Sequence, residues 1–301
     1  MIEDTKRIER PLVSVCTLTY NQQDFIKQTV ESLLMQETNF EYEVVISDDG
    51  STDDTIQIIY EIIRSHEKGY RVKLLAHENM GVLPNYIYTF KQCSGKYIAF
   101  CEGDDYWTDS EKLQIQADFL EINEEYAICF HKVNKLTDDL VLTEWPTDNF
   151  EKTYTVKDLA AGPLMYTPTV MLRSEHIYIP DWYVDAPLFD YPLQMMVARK
   201  GKIKYLPLNM ANYRVGTGIW TSDNGNRQMK KLQKLISLLQ IEFVNDHEIF
   251  KILSERNKQY TFEILEHQFY LDLYQQKIDF SKISFATTLK LVFNKLKSKF
   301  F

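Results

Sequence analysis

The stretch KYIAFCEGDDYW, residues 96–107, decides how the chain folds. Its first five residues are an apolar run that reads as a buried strand, and three carboxylates, Glu102, Asp104 and Asp105, follow at the strand's mouth. Like charges that close repel and raise one another's pKa unless something positive joins them. The stretch therefore asks for a cation. Hard oxygen ligands on a short loop suit Mg²⁺ or Mn²⁺, which keep open positions for phosphate oxygens. A lone Asp-Asp pair would more simply be a solvated, helix-capping turn; the strand before it and the aromatic pair Tyr106-Trp107 after it favour a site.

Upstream, the same arrangement recurs. LVSVCTL (12–18) is a short apolar run ending in Thr19-Tyr20-Asn21, and a helical pattern through Phe25, Val30, Leu33 and Leu34 follows. EVVIS (43–47) leads into DDGSTDDT and the helix IQIIYEIIRSH, with Thr52 or Asp53 placed to cap it. VKLLA (72–76) precedes the loop HENMGVLPN, a helix to about Cys93, and the strand at 96–100. Strands alternating with helices at these spacings predict an α/β fold whose mainly parallel sheet carries helices on both faces. In such sheets ligands bind at the carboxyl ends of the strands. Three polar clusters fall there: Thr17 to Asn21, Asp48 to Asp54 and Glu102 to Asp105. Within the second, Asp49 is an acceptor suited to the N–H of a pyrimidine base or to ribose hydroxyls, although Asp-Gly-Ser-Thr is also ordinary turn chemistry.

Beyond Trp107 the pattern is mixed. YAICFHKV (126–133) and PTVMLR (168–173) read as strands separated by a polar loop near 137–152, and this half is expected to face an acceptor. DYPLQMMVARKG (190–201) reads as a short helix opened by Asp190 and closed by Gly201, followed by the strand KIKYL and the loop YRVGTGIWTS (213–222). From about Arg227 the chain is helical, with Met229, Leu232, Ile236, Leu239 and Phe243 at three- and four-residue steps. The expected division is an α/β domain over 1–222, its halves at about 11–107 and 108–222, and a helical C-terminal region over 223–301.

Composition narrows the class. The 301 residues are 45% hydrophobic and 13% aromatic, ample for a packed core, and the formal net charge of −9 argues against a nucleic-acid partner. The charged start MIEDTKRIER is no signal peptide, and no run approaches the ~20 apolar residues that span a bilayer, so a cytoplasmic setting is expected. Cys16, Cys93, Cys101 and Cys129 are scattered without a C-x-x-C pair and read as reduced core thiols.

Residues 11 to about 222 resemble the family 2 glycosyltransferases, the GT-A-fold group that moves a sugar from a nucleotide donor with inversion. Four segments carry the resemblance: VSVCTLTYNQQDFIKQTVESLLMQ (13–36), EVVISDDGSTDDT (43–55), ENMGVLPNYIYTFKQCSGKYIAFCEGDDYW (78–107) and DYPLQMMVARKGKIKYL (190–206). It implies that Thr17, Thr19, Tyr20 and Asn21, with Asp49, hold the nucleoside, usually uridine, helped by Asn79 and Asn85. Asp104, counted with the nucleotide-binding residues, is the expected ligand of a divalent cation (Mn²⁺ or Mg²⁺), with Glu102 and Asp105 contributing directly or through water. Asp190 falls where the family places its catalytic base. A helix N-cap ahead of Pro192 is the plainer reading of Asp190, and the two are compatible because such a carboxylate is rigid and kept ionised by the helix dipole. Family members often carry a His soon after the Tyr-Arg of the segment matching YRVGTGIWTS, where this chain has Val215-Gly216, so the third side of the metal shell is unassigned. Arg214 and Trp220 are expected to close over the donor as part of a glycine-containing lid, the alternative being a plain surface loop.

The tail from Ser281 to Phe301 has Lys282, Lys290, Lys295, Lys297 and Lys299 and no acid. As a helix it would place Phe285, Leu289, Val292, Phe293, Leu296 and Phe300 on one face, a pattern suited to peripheral association with an anionic membrane at its cytosolic side. Docking on its own domain, or on a second subunit of a homo-oligomer, is the alternative. The expected function is metal-dependent, inverting transfer from a nucleotide-sugar, with UDP as carrier, to a glycan or lipid-linked glycan in bacterial surface polysaccharide assembly. A catalytically weak or silent sugar-nucleotide-binding scaffold subunit is the other reading. A nucleotidyltransferase would need a glycine-rich loop with a basic residue after the first strand, a dehydrogenase G-x-G-x-x-G there; TLTYNQQDF supplies neither.

Overall fold

The computed structural model of the chain describes residue 8 and residues 10–137, 140–217 and 225–274. Four strands, β1 (Val13–Thr19), β2 (Tyr42–Asp48), β3 (Val72–Ala76) and β4 (Tyr97–Phe100), lie in the spatial order β3-β2-β1-β4, all parallel. They alternate with helices α1 (Ile26–Leu34), α2 (Thr55–Ser65) and α3 (Val82–Phe90). The central strand β1 is buried along both faces, as a parallel strand covered on each side must be, which is why LVSVCTL is apolar without alternation.

The second half is mixed. After β5 (Tyr106–Trp107) come α4 (Lys112–Ile122), β6 (Tyr126–Thr137), β7 (Leu140–Trp145), β8 (Lys152–Tyr154), α5 (Val156–Ala161), β9 (Met171–Arg173), α6 (Asp190–Ala198) and β10 (Lys202–Arg214), and then α7 (Gly225–Glu242) and α8 (His247–Tyr274). β9 joins the sheet antiparallel to β4 and β6; β10 runs parallel to β6 and antiparallel to β5. One core lies under α1, α2 and α4, through Val30, Leu33, Ile59, Leu113 and Leu120; the opposite core joins Ile98 and Phe100 to Tyr86 of α3, Met196 of α6, Leu239 of α7 and Leu253 of α8. Burying such residues is worth roughly 1.5–3 kcal/mol each. The C-terminal helices thus help close one face of the sheet.

Four sequence expectations are corrected. The polar loop near 137–152 contains β7, which pairs back on β6, and runs into β8, which pairs with β10; the LVLTEW stretch has the β-forming residues, but its acidic flanks hide them. The strand expected as KIKYL runs on to Arg214, absorbing Pro207 at an irregularity between Leu206 and Asn209 where no ladder N–H is needed. β9 is shorter than PTVMLR because Thr167–Thr169 form a helical turn around Pro168. In α6 the N-cap is Phe189 and Asp190 is the first helical residue, its Oδ1 accepting from the next N–H, Tyr191, at 2.8 Å.

Candidate active site

Three loops at the carboxyl ends of β1, β2 and β3 are tied to one another by their polar residues. Asn21 sits in the left-handed region (φ 49), which Asn tolerates, and this turns its side chain so that Oδ1 accepts from Thr52 N at 2.8 Å. Its own N–H donates to Ser51 Oγ at 2.8 Å. Asp49 accepts from the N–H groups of Met80 (2.8 Å) and Gly81 (3.0 Å), while Asn79 Nδ2 donates to the Asp49 carbonyl at 2.8 Å. The β3 loop is therefore folded onto Asp49. Asn85 is 1% exposed, its Oδ1 accepting from Ser47 Oγ at 2.6 Å with His77 Nε2 3.2 Å away, so it supports this loop from beneath. Thr17 is fully buried and its hydroxyl has no partner; Thr19 donates to Gln22 Oε1 at 2.8 Å; Tyr20 is exposed.

The acidic loop after β4 packs directly on this platform. Gly103 N donates to the Leu18 carbonyl at 2.9 Å, and a Cβ at Gly103 would come within 2.2 Å of Gln22 Oε1 and 2.8 Å of Thr19 Oγ1. Glycine is required by that approach. Thr29 of α1 fixes the loop from below, its Oγ1 lying 2.9 Å from the Gly103 carbonyl and 2.7 Å from that of Asp105. Asp104 Oδ2 accepts from Thr217 Oγ1 at 2.7 Å, and its carbonyl accepts from Arg214 Nη1 at 2.6 Å. Arg214 also bonds Gln28 Oε1 (2.5 Å) and lies over the rings of Phe25 and Tyr106. Asp105 Oδ1 accepts from Arg214 N at 2.8 Å, while its Oδ2 is buried without a partner.

Asp190 completes the cluster from the other half of the chain. Its Oδ2 accepts from Thr167 Oγ1 at 3.3 Å and its Oδ1 from the Tyr191 N–H, and burial pushes its carboxyl above the ordinary range against those two hydrogen bonds. Glu102 is pushed well up, by burial first and then by Asp104 and Asp190. Asp105 is raised by burial, then by Asp104 and Glu102, with Arg214 opposing. The Tyr213 hydroxyl is raised by burial and then by Asp105, Glu102, Asp104 and Asp190 together, so it senses all four carboxylates. Residues from β4, α6 and β10, remote in sequence, thus share one electrostatic site.

The carboxylates do not form a closed metal cage. Among the described residues no group of three or more His, Cys, Asp or Glu side chains is arranged to hold a metal ion, the expected set Glu102, Asp104 and Asp105 included, and one oxygen of Asp105 is taken up by the Arg214 N–H. The chemistry still fits a divalent cation that takes one or two protein carboxylates and completes its shell with phosphate oxygens and water. Asp105 Oδ2 is an orphaned buried acceptor, and Glu102 and Asp105 are raised by burial first and then by their acidic neighbours, a setting that a cation would relieve. Trp220 of the expected lid and the basic tail 281–301 lie outside the described residues. Thr217, Thr167, Gln28 and Tyr213 escaped the sequence reading. Only Thr217 has a signal in the sequence, a hydroxyl two residues after Val215, in the segment where family members often carry a histidine.

Comparison with known proteins agrees with this fold. The solved structure of Staphylococcus aureus TarS 1-349 in complex with UDP-GlcNAc is similar in fold, with TM-score 0.60 and 22% identity over 90% of this chain and 77% of that one. An uncharacterized protein of Mycobacterium tuberculosis is 34% identical over 218 residues, 72% of this chain, and the chain spans 62% of that relative's length. TuaG of Bacillus subtilis, named for teichuronic acid biosynthesis, is 31% identical over 169 residues, 55% of this chain and 64% of its own. The model of glycosyl transferase family 2 matches residues 14–175. The fold is the GT-A fold expected from the motifs, and with more than half of its length matched the chain belongs to glycosyl transferase family 2.

Proposed function

We propose that the protein is an inverting glycosyltransferase that moves a sugar from a UDP-sugar to a hydroxyl of a glycan or lipid-linked glycan acceptor in the assembly of a bacterial surface polysaccharide. The observation that carries this reading is the meeting of Asp190, from the second half of the chain, with the acidic loop of Glu102 and Asp104 at the strand ends. The UDP-GlcNAc complex of a protein of the same fold supports the donor class, and the relative named for teichuronic acid biosynthesis supports the acceptor class.

Thr19, Tyr20 and Asn21, with the Asp49 loop, receive the nucleoside. Asp104 would hold a divalent cation, with Glu102 contributing directly or through water; when bound, such an ion neutralises charge on the departing diphosphate. Asp190 accepts the proton of the attacking hydroxyl. Its hydrogen bonds from Thr167 and Tyr191 keep one orientation and favour the ionised form against burial, and a raised pKa makes it a better base near neutral pH. Attack and departure on opposite faces invert the anomeric carbon, and no covalent sugar–enzyme intermediate is required.

The test is UDP release from a panel of UDP-sugars, with the product's anomeric configuration read by NMR. The wild type is expected to give the inverted anomer. Asp190→Asn should lower turnover by about 10²–10⁴-fold, the range of a general base, with UDP affinity kept. Undiminished turnover in Asp190→Asn would overturn the base assignment.

A further inference from the structure

The helix that carries Asp190 is fastened at both ends by the C-terminal hairpin of α7 and α8, outside the segment that the family model matches. At its start, Arg256 of α8 donates Nη1 to the Tyr191 hydroxyl (2.5 Å) and to the Ala160 carbonyl (2.8 Å), and Nη2 to the Tyr260 hydroxyl (3.0 Å). The Tyr191 hydroxyl in turn donates to the Leu159 carbonyl at 2.6 Å. Leu159 and Ala160 lie in the last turn of α5, where the Leu159 carbonyl also accepts the Gly162 N–H at 3.2 Å, and a cation there is favoured by the helix dipole. Tyr191 is 7% exposed, and its backbone N–H is the donor that holds Asp190 Oδ1. On the other side of the base, the buried Tyr183 donates its hydroxyl to the Phe189 carbonyl. At the far end of α6, Glu242 of α7 accepts from Arg199 Nη1 (2.8 Å) with one oxygen and from Trp182 Nε1 (2.9 Å) with the other.

We infer that Arg256 is a positioning residue for Asp190, and that the α7–α8 hairpin is a clamp that sets where the base meets the acceptor hydroxyl. The inference rests on reading Asp190 as the base. Arg256 never touches the reacting atoms. It holds Tyr191, and Tyr191 is the residue whose N–H orients the carboxylate. A planar guanidinium serves the two phenol oxygens and the carbonyl at once, which a lysine's single ammonium on a flexible stem does less well. Displacing a reacting group by about 1 Å costs on the order of 10²-fold in rate, so a loosened clamp should appear in turnover and not in donor affinity. The nucleoside platform at β1, β2 and β3 lies in the first half of the chain and has no bond to Arg256.

The experiment uses the full chain, with UDP release from UDP-GlcNAc, UDP-glucose and UDP-galactose and water as acceptor, beside calorimetric titration of UDP with Mn²⁺. Arg256→Ala is expected to lose about 10- to 100-fold in kcat, with donor KM and UDP affinity within about twofold of the wild type. Millimolar guanidinium should restore part of that kcat in Arg256→Ala and leave the wild type unchanged. Tyr191→Phe keeps the ring and removes the hydroxyl; it should lose about tenfold in kcat without rescue, and it carries the test if Arg256→Ala does not fold. An active wild type whose two variants turn over at its rate, or lose UDP affinity in step with kcat, overturns the clamp alone. A wild type that neither binds UDP nor releases it from any donor overturns the functional reading first, and the clamp with it.

Discussion

The hydroxyl of Thr217 donates to Asp104 Oδ2 at 2.7 Å, so the strand-end loop after β10 holds the carboxylate expected to meet the cation. A hydrogen bond to a charged group is worth about 1.5–3 kcal/mol when buried, and Thr217 is exposed, which places the effect at the lower end. Thr217→Ala should weaken UDP binding in Mn²⁺ by up to about tenfold, while Thr217→Ser should stay near the wild type. Calorimetry distinguishes them; equal affinities in all three proteins would remove Thr217 from the site.

Gly103 is the contact between the acidic loop and the loops proposed to receive the nucleoside. Its added Cβ would meet Thr19 Cβ at 2.9 Å as well as the Gln22 and Thr19 oxygens, and Thr19 cannot swing away as a long side chain could. Gly103→Ala should cost about 1–3 kcal/mol of stability through overpacking and weaken UDP binding at the same time. Thermal unfolding with and without UDP checks both, and a variant with the stability and UDP affinity of the wild type would show that the loops are free to part.

Stability should depend on pH through Glu102. Burial, then Asp104 and Asp190, hold its folded-state pKa well above the value of about 4.3 in the unfolded chain. A carboxyl raised on folding stabilises the protein below its unfolded pKa and loses that contribution as pH rises through the folded one. The metal-free Glu102→Gln variant should therefore gain on the wild type as pH goes from 4 to 8, a gap that Mn²⁺ narrows. Urea unfolding at several pH values measures it; a gap independent of pH would contradict the electrostatic account.

Lys112 acts in the opposite sense. It is fully buried, with Nζ 2.7 Å from Gln116 Oε1 and 4.0 Å from the Trp107 ring centroid, and burial lowers its pKa to about 7. The unfolded chain binds that proton up to about pH 10, so the wild type gains stability as pH rises from 7 towards 10, by at most about 1.4 kcal/mol per pH unit. Lys112→Met lacks this slope, and its stability relative to the wild type should be greater at pH 6 than at pH 9. The same pH slope in both proteins would mean that Lys112 stays charged.

The first half of the fold was legible because its strands are short apolar runs, β1 buried along both faces and β3 partly so, set between polar loops and helical patterns. LVSVCTL, EVVIS and VKLLA became β1, β2 and β3 within one residue at each end. The second half was less so. β7 is an edge pairing whose stability comes from β6, and β10 crosses Pro207 by an irregularity that no local pattern announces. In the candidate site, charged residues at strand ends were readable; Thr167 in a helical turn, Gln28 in α1 and Tyr213 in β10 were not, because what brings each of them to the carboxylates is packing between distant segments. Asn85, an expected nucleoside contact, is buried against Ser47 and His77, a partnership between segments that single-sequence reading does not reveal.

The most direct test of the central claim is calorimetric titration of the purified protein with UDP, then GDP and CDP, each in Mn²⁺ and in EDTA, beside the Asp104→Ala variant. UDP should bind more tightly than GDP or CDP, with binding lost in EDTA and weakened in Asp104→Ala. Absence of binding to every nucleotide with Mn²⁺ present would contradict that claim and move the protein from sugar transfer to a scaffold role.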